Sequence, residues 1–153
     1  MKGIHLMEGV SKRAVITGAS TGIGRFLSLE LASAGVHVYG VARRGELFLS
    51  LAELRPGKIT PIEADIRTRS GRDRLREELS DSQVDFLVNG VGTILPIGPV
   101  TELSEDMLRD AIETNLIGPW MLTNAVVSRM KCGRIMNIST RSAHQVFPGL
   151  SAY

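Results

Sequence analysis

The segment Thr17-Gly18-Ala19-Ser20-Thr21-Gly22-Ile23-Gly24 constrains this chain more than any other. An apolar run at residues 14–17 precedes it and reads as a strand. A helical pattern over residues 22–34 follows, closed by Gly35. A chain that passes from strand to helix in so few residues needs a tight turn, which Gly18 permits. Gly22 lets the backbone approach a bound group with no Cβ in the way, and Gly24 lets the helix pack close to the sheet. The first N–H groups of such a helix have no partner inside it and lie at the positive end of its dipole. Together with Ser20, Thr21 and Ile23 they make a seat for phosphate. With a strand before and a helix after, the turn is expected to hold the pyrophosphate of a dinucleotide.

The rest of the chain repeats the alternation. Strands are expected at residues 36–42, 58–63, 86–89 and 133–139, and helices at 46–54 and 70–79. Pro56-Gly57 breaks the chain between two of them. A Gly/Pro-rich loop runs over residues 90–103. Ser104 then caps one long helix reaching about residue 130, with Glu105 and Asp106 in its first turn. Alternating strands and helices with short connections give an α/β doubly wound parallel sheet covered on both faces. Residues 1–10 read as an N-terminal extension and 11–153 as one dinucleotide-binding domain. At 153 residues and 43% apolar composition the chain is long enough for one core. In such sheets ligands lie at the carboxyl ends of the strands.

Those ends carry the chemistry. A site for the ribose 2′-hydroxyl of NAD places an acid at the end of the second strand. Here Ala42 stands there and Arg43-Arg44 follow. A pair of guanidinium groups suits a 2′-phosphate, so the expected cofactor is NADP(H). Asp65, followed by Ile66, ends the third strand, where its carboxylate is placed to accept from an adenine amino group or to cap the next helix. Asn89-Gly90-Val91-Gly92 ends the fourth, with two glycines against which a flat ring or ribose can lie.

Other partners are excluded by composition. With 18 basic and 16 acidic residues the net charge is only +2, which does not call for nucleic acid. Arg67, Arg69, Arg72, Arg74 and Arg76 are interleaved with Asp73, Glu77 and Glu78 and read as a solvated helix face. No apolar run is long enough to cross a membrane, and residues 1–9 are too short and mixed for a signal peptide. Cys132 is the single cysteine, which suits a reducing, cytoplasmic setting. His5 and His37 have no partners at metal-ligand spacing, and His144 reads as a surface side chain.

In order along the chain these motifs resemble the short-chain dehydrogenase/reductase family. The turn Thr17 to Gly24 matches its T-G-x-x-x-G-I-G, and Asn89-Gly90-Val91-Gly92 matches N-N-A-G imperfectly. Asn115-Leu116-Ile117-Gly118 matches N-L-x-G, and the run from Gly133 through Ser139 to Thr140 resembles G-R-I-x-N-I-S-S. The resemblance implies a Rossmann-type NADP(H)-dependent oxidoreductase that interconverts a carbonyl and an alcohol on a small-molecule substrate. Its active group is an Asn, Ser, Tyr, Lys tetrad, implied here at Asn115, Thr140 and Tyr153. Spacing favours Thr140 over its neighbours Ser139 and Ser142. The family's lysine, four residues beyond the tyrosine, and its later strands and helices fall past the last residue of this chain. The expectation is therefore a fragment of a longer enzyme. The alternatives are a non-catalytic dinucleotide-binding or dimerisation module, and an assembly in which another chain supplies the rest. The fifth strand is expected to be an edge with its apolar face open. Pro119, four residues after Asn115, has no N–H, so the Asn115 carbonyl loses its helical donor and is free to hold a water. A homo-oligomer through the helix at 104–130, with Trp120, Met121 and Leu122 as candidates, completes the expectation.

Overall fold

The structure is a computed structural model that describes residues 12–44 and 46–153, the side chains of 46–49 excepted. The proposed N-terminal extension and His5 lie outside the described residues. Five parallel strands, β1 (Arg13–Thr17), β2 (His37–Ala42), β3 (Ile59–Glu63), β4 (Phe86–Asn89) and β5 (Arg134–Asn137), form one sheet in the order β3-β2-β1-β4-β5. The helices are α1 (Gly22–Ser33), α2 (Glu46–Leu54), α3 (Arg69–Leu79), α4 (Glu105–Ile112) and α5 (Gly118–Val127). This is the doubly wound α/β architecture that the alternation implied.

Because strand side chains alternate, β1 feeds two cores at once. Ala14 and Ile16 point into a cluster with Ala32, Val36, Val38 and Leu51, under α1 and α2. Val15 points into the opposite cluster with Leu75, Leu79, Leu87, Leu122 and Val126, under α3 and α5. Burial on both faces is why β1 reads as a continuous apolar run. At its amino end the buried Asp85 carboxylate accepts from Lys12 Nζ at 2.8 Å and from the Arg13 amide at 2.9 Å, fixing β4 beside β1.

The chain builds β1, β2 and β3 outward and then returns to place β4 on the other side of β1. The reversal opens a crevice between the carboxyl ends of β1 and β4. β5 lies at the edge, and all four of its residues are exposed.

The long helix differs from expectation. Ser104 does cap it, accepting from the Met107 amide at 3.2 Å. After Ile112, however, residues Glu113–Ile117 form a π turn, and α5 begins at Gly118. Pro119 explains the break. Without an N–H it has no place in a helix interior but is harmless in a first turn. The wider turn puts the Gly118 amide on the Glu113 carbonyl and lets Pro119 enter at the start of α5.

The solvated-face reading of the arginines is also corrected in part. Arg69 and Arg74 are exposed, but Arg72 is buried and donates to the carbonyls of Ile66 and Arg67, both at 2.7 Å. Among the described residues no helix is long and apolar enough to cross a membrane, and no cluster of metal-binding side chains occurs.

Candidate functional site

A cavity of about 360 Å³ lies at the carboxyl ends of β1, β2, β3 and β4. It contains most of the positions singled out from sequence. Gly18, Ser20, Thr21, Gly22, Ile23 and Gly24 line one side. Arg43 and Arg44, both exposed, follow β2, and Asp65 and Ile66 follow β3. Gly90 closes the β4 side.

The turn after β1 is held from both flanks. The Ala19 amide donates to the Val41 carbonyl at 3.3 Å. On the other flank the buried Thr17 Oγ1 accepts from the Gly90 amide at 2.9 Å and from Val91 at 3.3 Å. Gly18 has φ +68°, and a Cβ there would lie 2.7 Å from the Gly90 carbonyl oxygen. A Cβ on Gly24 would overlap the Gly18 carbonyl. Gly22 has φ +55°, but a Cβ there would meet nothing within 4 Å. Its requirement is backbone conformation, and the space beside it is open. Thr21 stands at the N-cap of α1 without a side-chain cap bond, whereas Thr68 caps α3 and Ser104 caps α4. The first N–H groups of α1 are therefore left for a ligand. Bare amides and open space at Gly22 fit the diphosphate of a dinucleotide.

Asp65 does not cap α3; Thr68 Oγ1 does, accepting from the Gly71 amide at 3.0 Å. The Asp65 carboxylate is instead gripped by Arg67. Arg67 Nε lies 3.1 and 3.0 Å from its two oxygens, and a terminal nitrogen lies 2.7 Å from Oδ2. Arg67 also donates to Asp110 Oδ1 on α4 at 2.6 Å. The Arg67 guanidinium holds the Asp65 carboxyl below the usual carboxylate range, against the opposing effect of burial, and Arg43 adds to it. Arg67 lines the cavity, and the reading of the sequence assigned it to a solvent face. Thr17, Thr114 and Ile138 were also missed; Thr114 and Ile138 line the wall. The one available signal for Arg67 was its position two residues after the acid that ends β3.

Asn89 is not on the cavity wall. It is buried below it, donating from Nδ2 to Asn137 Oδ1 at 2.8 Å and to Thr123 Oγ1 at 3.1 Å. Among the described residues its Oδ1 has no hydrogen-bond partner. It joins β4 to β5 and α5.

Asn115, Thr140 and Tyr153 lie outside the cavity lining. Asn115 sits in the π turn and clasps the loop after β4. Its Oδ1 accepts from the Thr93 amide at 2.8 Å, and its Nδ2 donates to the Thr93 carbonyl at 2.9 Å. Thr140 follows β5, and its Oγ1 accepts from the Ser142 amide at 3.2 Å, capping a short 3₁₀ turn. Tyr153 is exposed, and its amide donates to the Leu150 carbonyl. The segment before Tyr153 reaches the loop that Asn115 clasps, because the Gly98 amide donates to the Gly149 carbonyl at 2.9 Å. No described hydrogen bond joins the three directly.

Comparison with known proteins agrees with this architecture. The family model for short chain dehydrogenases matches residues 12–153. Hydroxysteroid dehydrogenase-like protein 1 of Gallus gallus is 32% identical over 98% of this chain and 48% of its own length. The inactive hydroxysteroid dehydrogenase-like protein 1 of Homo sapiens is 34% identical over 97% of this chain and 48% of its own. The crystal structure of a short-chain dehydrogenase from Streptomyces avermitilis superposes with a TM-score of 0.86 at 34% identity, covering 95% of this chain and 55% of that one. The chain thus spans about half the length of the curated relatives it matches. With the family model matched from β1 to the last residue, and the glycine turn, switch-point crevice and strand order in place, the chain belongs to the short-chain dehydrogenase family.

Proposed function

We propose that this chain forms the dinucleotide half of an NADP(H)-dependent oxidoreductase that interconverts a carbonyl and an alcohol. The observation that carries the reading is the uncapped start of α1 opening on a cavity whose next strand end bears Arg43 and Arg44. The α1 amides hold the diphosphate, and the two guanidiniums hold the 2′-phosphate. Gly90, Val91 and Gly92 leave room for the ribose beside β4. The dinucleotide supplies or takes up the hydride. Thr140 Oγ1 orients the substrate oxygen, and Tyr153 holds the proton that the oxygen gains or loses. Asn115 keeps the loop after β4 in place through Thr93, and its carbonyl, which Pro119 four residues on cannot serve as a donor, anchors a water. The exposed, free Cys132 suits a reducing cytoplasm.

Titration calorimetry with NADPH and NADH, followed by assay of hydride transfer to a panel of ketones, aldehydes and 3-oxoacyl thioesters, tests the reading. NADPH is expected to bind with the lower Kd. Absence of binding by either dinucleotide sinks it. Binding without transfer selects a second reading, a non-catalytic dinucleotide-binding module. That reading has the support of relatives whose names describe them as inactive.

Self-association through the outer face of α4, the π turn and α5 belongs to the same proposal. Of the residues named from sequence, Leu122 faces the core and Trp120 faces out, 63% exposed. Leu108, Ile112, Leu116 and Trp120 recur at four-residue steps, all exposed. Trp120→Glu is expected to weaken self-association at least about tenfold, since buried tryptophans dominate interfaces. Light scattering across a concentration series reads this, and an unchanged mass profile removes the interface.

A further inference from the structure

Among the described residues, the charged ones that line the cavity are Arg43, Arg44, Asp65 and Arg67. An exposed carboxylate on that wall is a poor neighbour for a phosphate, and Asp65 would be one if it stood alone. It does not, because Arg67 binds both of its oxygens in fork geometry. Arg67 is itself fixed by two further contacts. Its free terminal nitrogen donates to Asp110 on α4. Its stem packs at the start of α5, where a Cβ on Gly118 would lie 3.5 Å from Arg67 Cγ. The guanidinium is therefore held in place to cancel Asp65, and is no loose surface group.

We propose that Arg67 is a specificity-determining residue: by neutralising Asp65 it gives the wall the two positive charges that match a 2′-phosphate dianion. The inference rests on the NADP(H) reading above and deepens it. Three arginines and one aspartate leave a net of two positive charges, against ~2 negative charges on a phosphate monoester. The arithmetic orders a set of variants. Arg67→Gln leaves one net positive charge and a lone carboxylate. Asp65→Asn leaves three. The double variant returns to two.

The readout is the ratio of the NADH Kd to the NADPH Kd, measured by titration calorimetry. Adenine and diphosphate are common to both dinucleotides, so a lost adenine contact cancels in this ratio. Arg67→Gln is expected to lower the ratio about tenfold, the effect of one uncancelled charge at close range in a partly solvated site. Asp65→Asn is expected to raise the ratio or leave it. Asp65→Asn with Arg67→Gln is expected to return it to within about twofold of the unsubstituted protein. The double variant also serves if Arg67→Gln alone does not fold, since it leaves no unpaired carboxylate on the cavity wall; Asp110, which loses Arg67 in both variants, is exposed and lies outside the lining. An unchanged ratio in Arg67→Gln, or a tenfold drop persisting in the double variant, overturns the inference. An unsubstituted protein that prefers NADH overturns the cofactor reading itself. Preference for NADPH that Arg67→Gln leaves undiminished overturns only the role of Arg67.

Discussion

Gly18→Ala is expected to lower unfolding stability by about 3 kcal/mol and to abolish measurable dinucleotide binding. Three effects act together. An alanine at φ +68° carries a backbone cost of about 1 kcal/mol. Its Cβ would lie 2.7 Å from the Gly90 carbonyl oxygen and 3.0 Å from the carbonyl carbon, both backbone atoms. Relief requires β1 and β4 to part where Thr17 Oγ1 holds the Gly90 and Val91 amides. Those bonds are part-buried, and losing them adds about 1 kcal/mol. Gly22→Ala is the control. It has a similar φ of +55° but open space around the new methyl, so it should lose only about 1 kcal/mol. Urea unfolding of the two variants separates them. Equal losses would mean that backbone conformation alone matters and that the approach to Gly90 is not tight.

The outcome also bears on how much of this fold a reader of the sequence could see. Elements held by local rules were legible. The continuous apolar run of β1, the glycine turn and the Ser104 cap each follow from neighbours in the chain, and each stands within a residue or so of its expected place. What was not legible depends on residues far apart. Arg67 reads as surface from its charged neighbours, yet one of its partners, Asp110, is 43 positions away. Thr17 reads as the polar end of a strand, and its partners on the β4 loop are 73 and 74 positions away. Asn89 was recognisable as a strand end, but whether its side chain faces the cavity or the sheet beneath depends on the register of β4 against β5. The break between α4 and α5 lay in a helical pattern that stays helical on both sides. Only the missing N–H of Pro119 marked it, and a missing donor does not say whether the helix kinks or widens into a π turn.

Arg43→Ala with Arg44→Ala is the second large effect, and it separates the two dinucleotides. Both arginines are exposed at the end of β2 and line the cavity, where an NAD site would place an acid. Bonds from a guanidinium to a phosphate are charge-assisted, but exposure and the entropy of ordering two long side chains reduce their worth. About 2 kcal/mol for the pair is a fair expectation, so NADPH affinity should fall about thirtyfold. NADH lacks the 2′-phosphate and gains nothing from either guanidinium, so its Kd should move by no more than about twofold. Salt sharpens the contrast. Exposed charge pairs are screened over a Debye length of about 8 Å at physiological ionic strength. Raising the salt should therefore weaken NADPH binding to the unsubstituted protein and leave the double variant nearly unaffected. Equal losses for both dinucleotides would assign Arg43 and Arg44 to the shape of the β2 turn. The cavity would then be a dinucleotide site without a 2′-phosphate pocket, and Arg67 would lose the partner charges with which it is proposed to act.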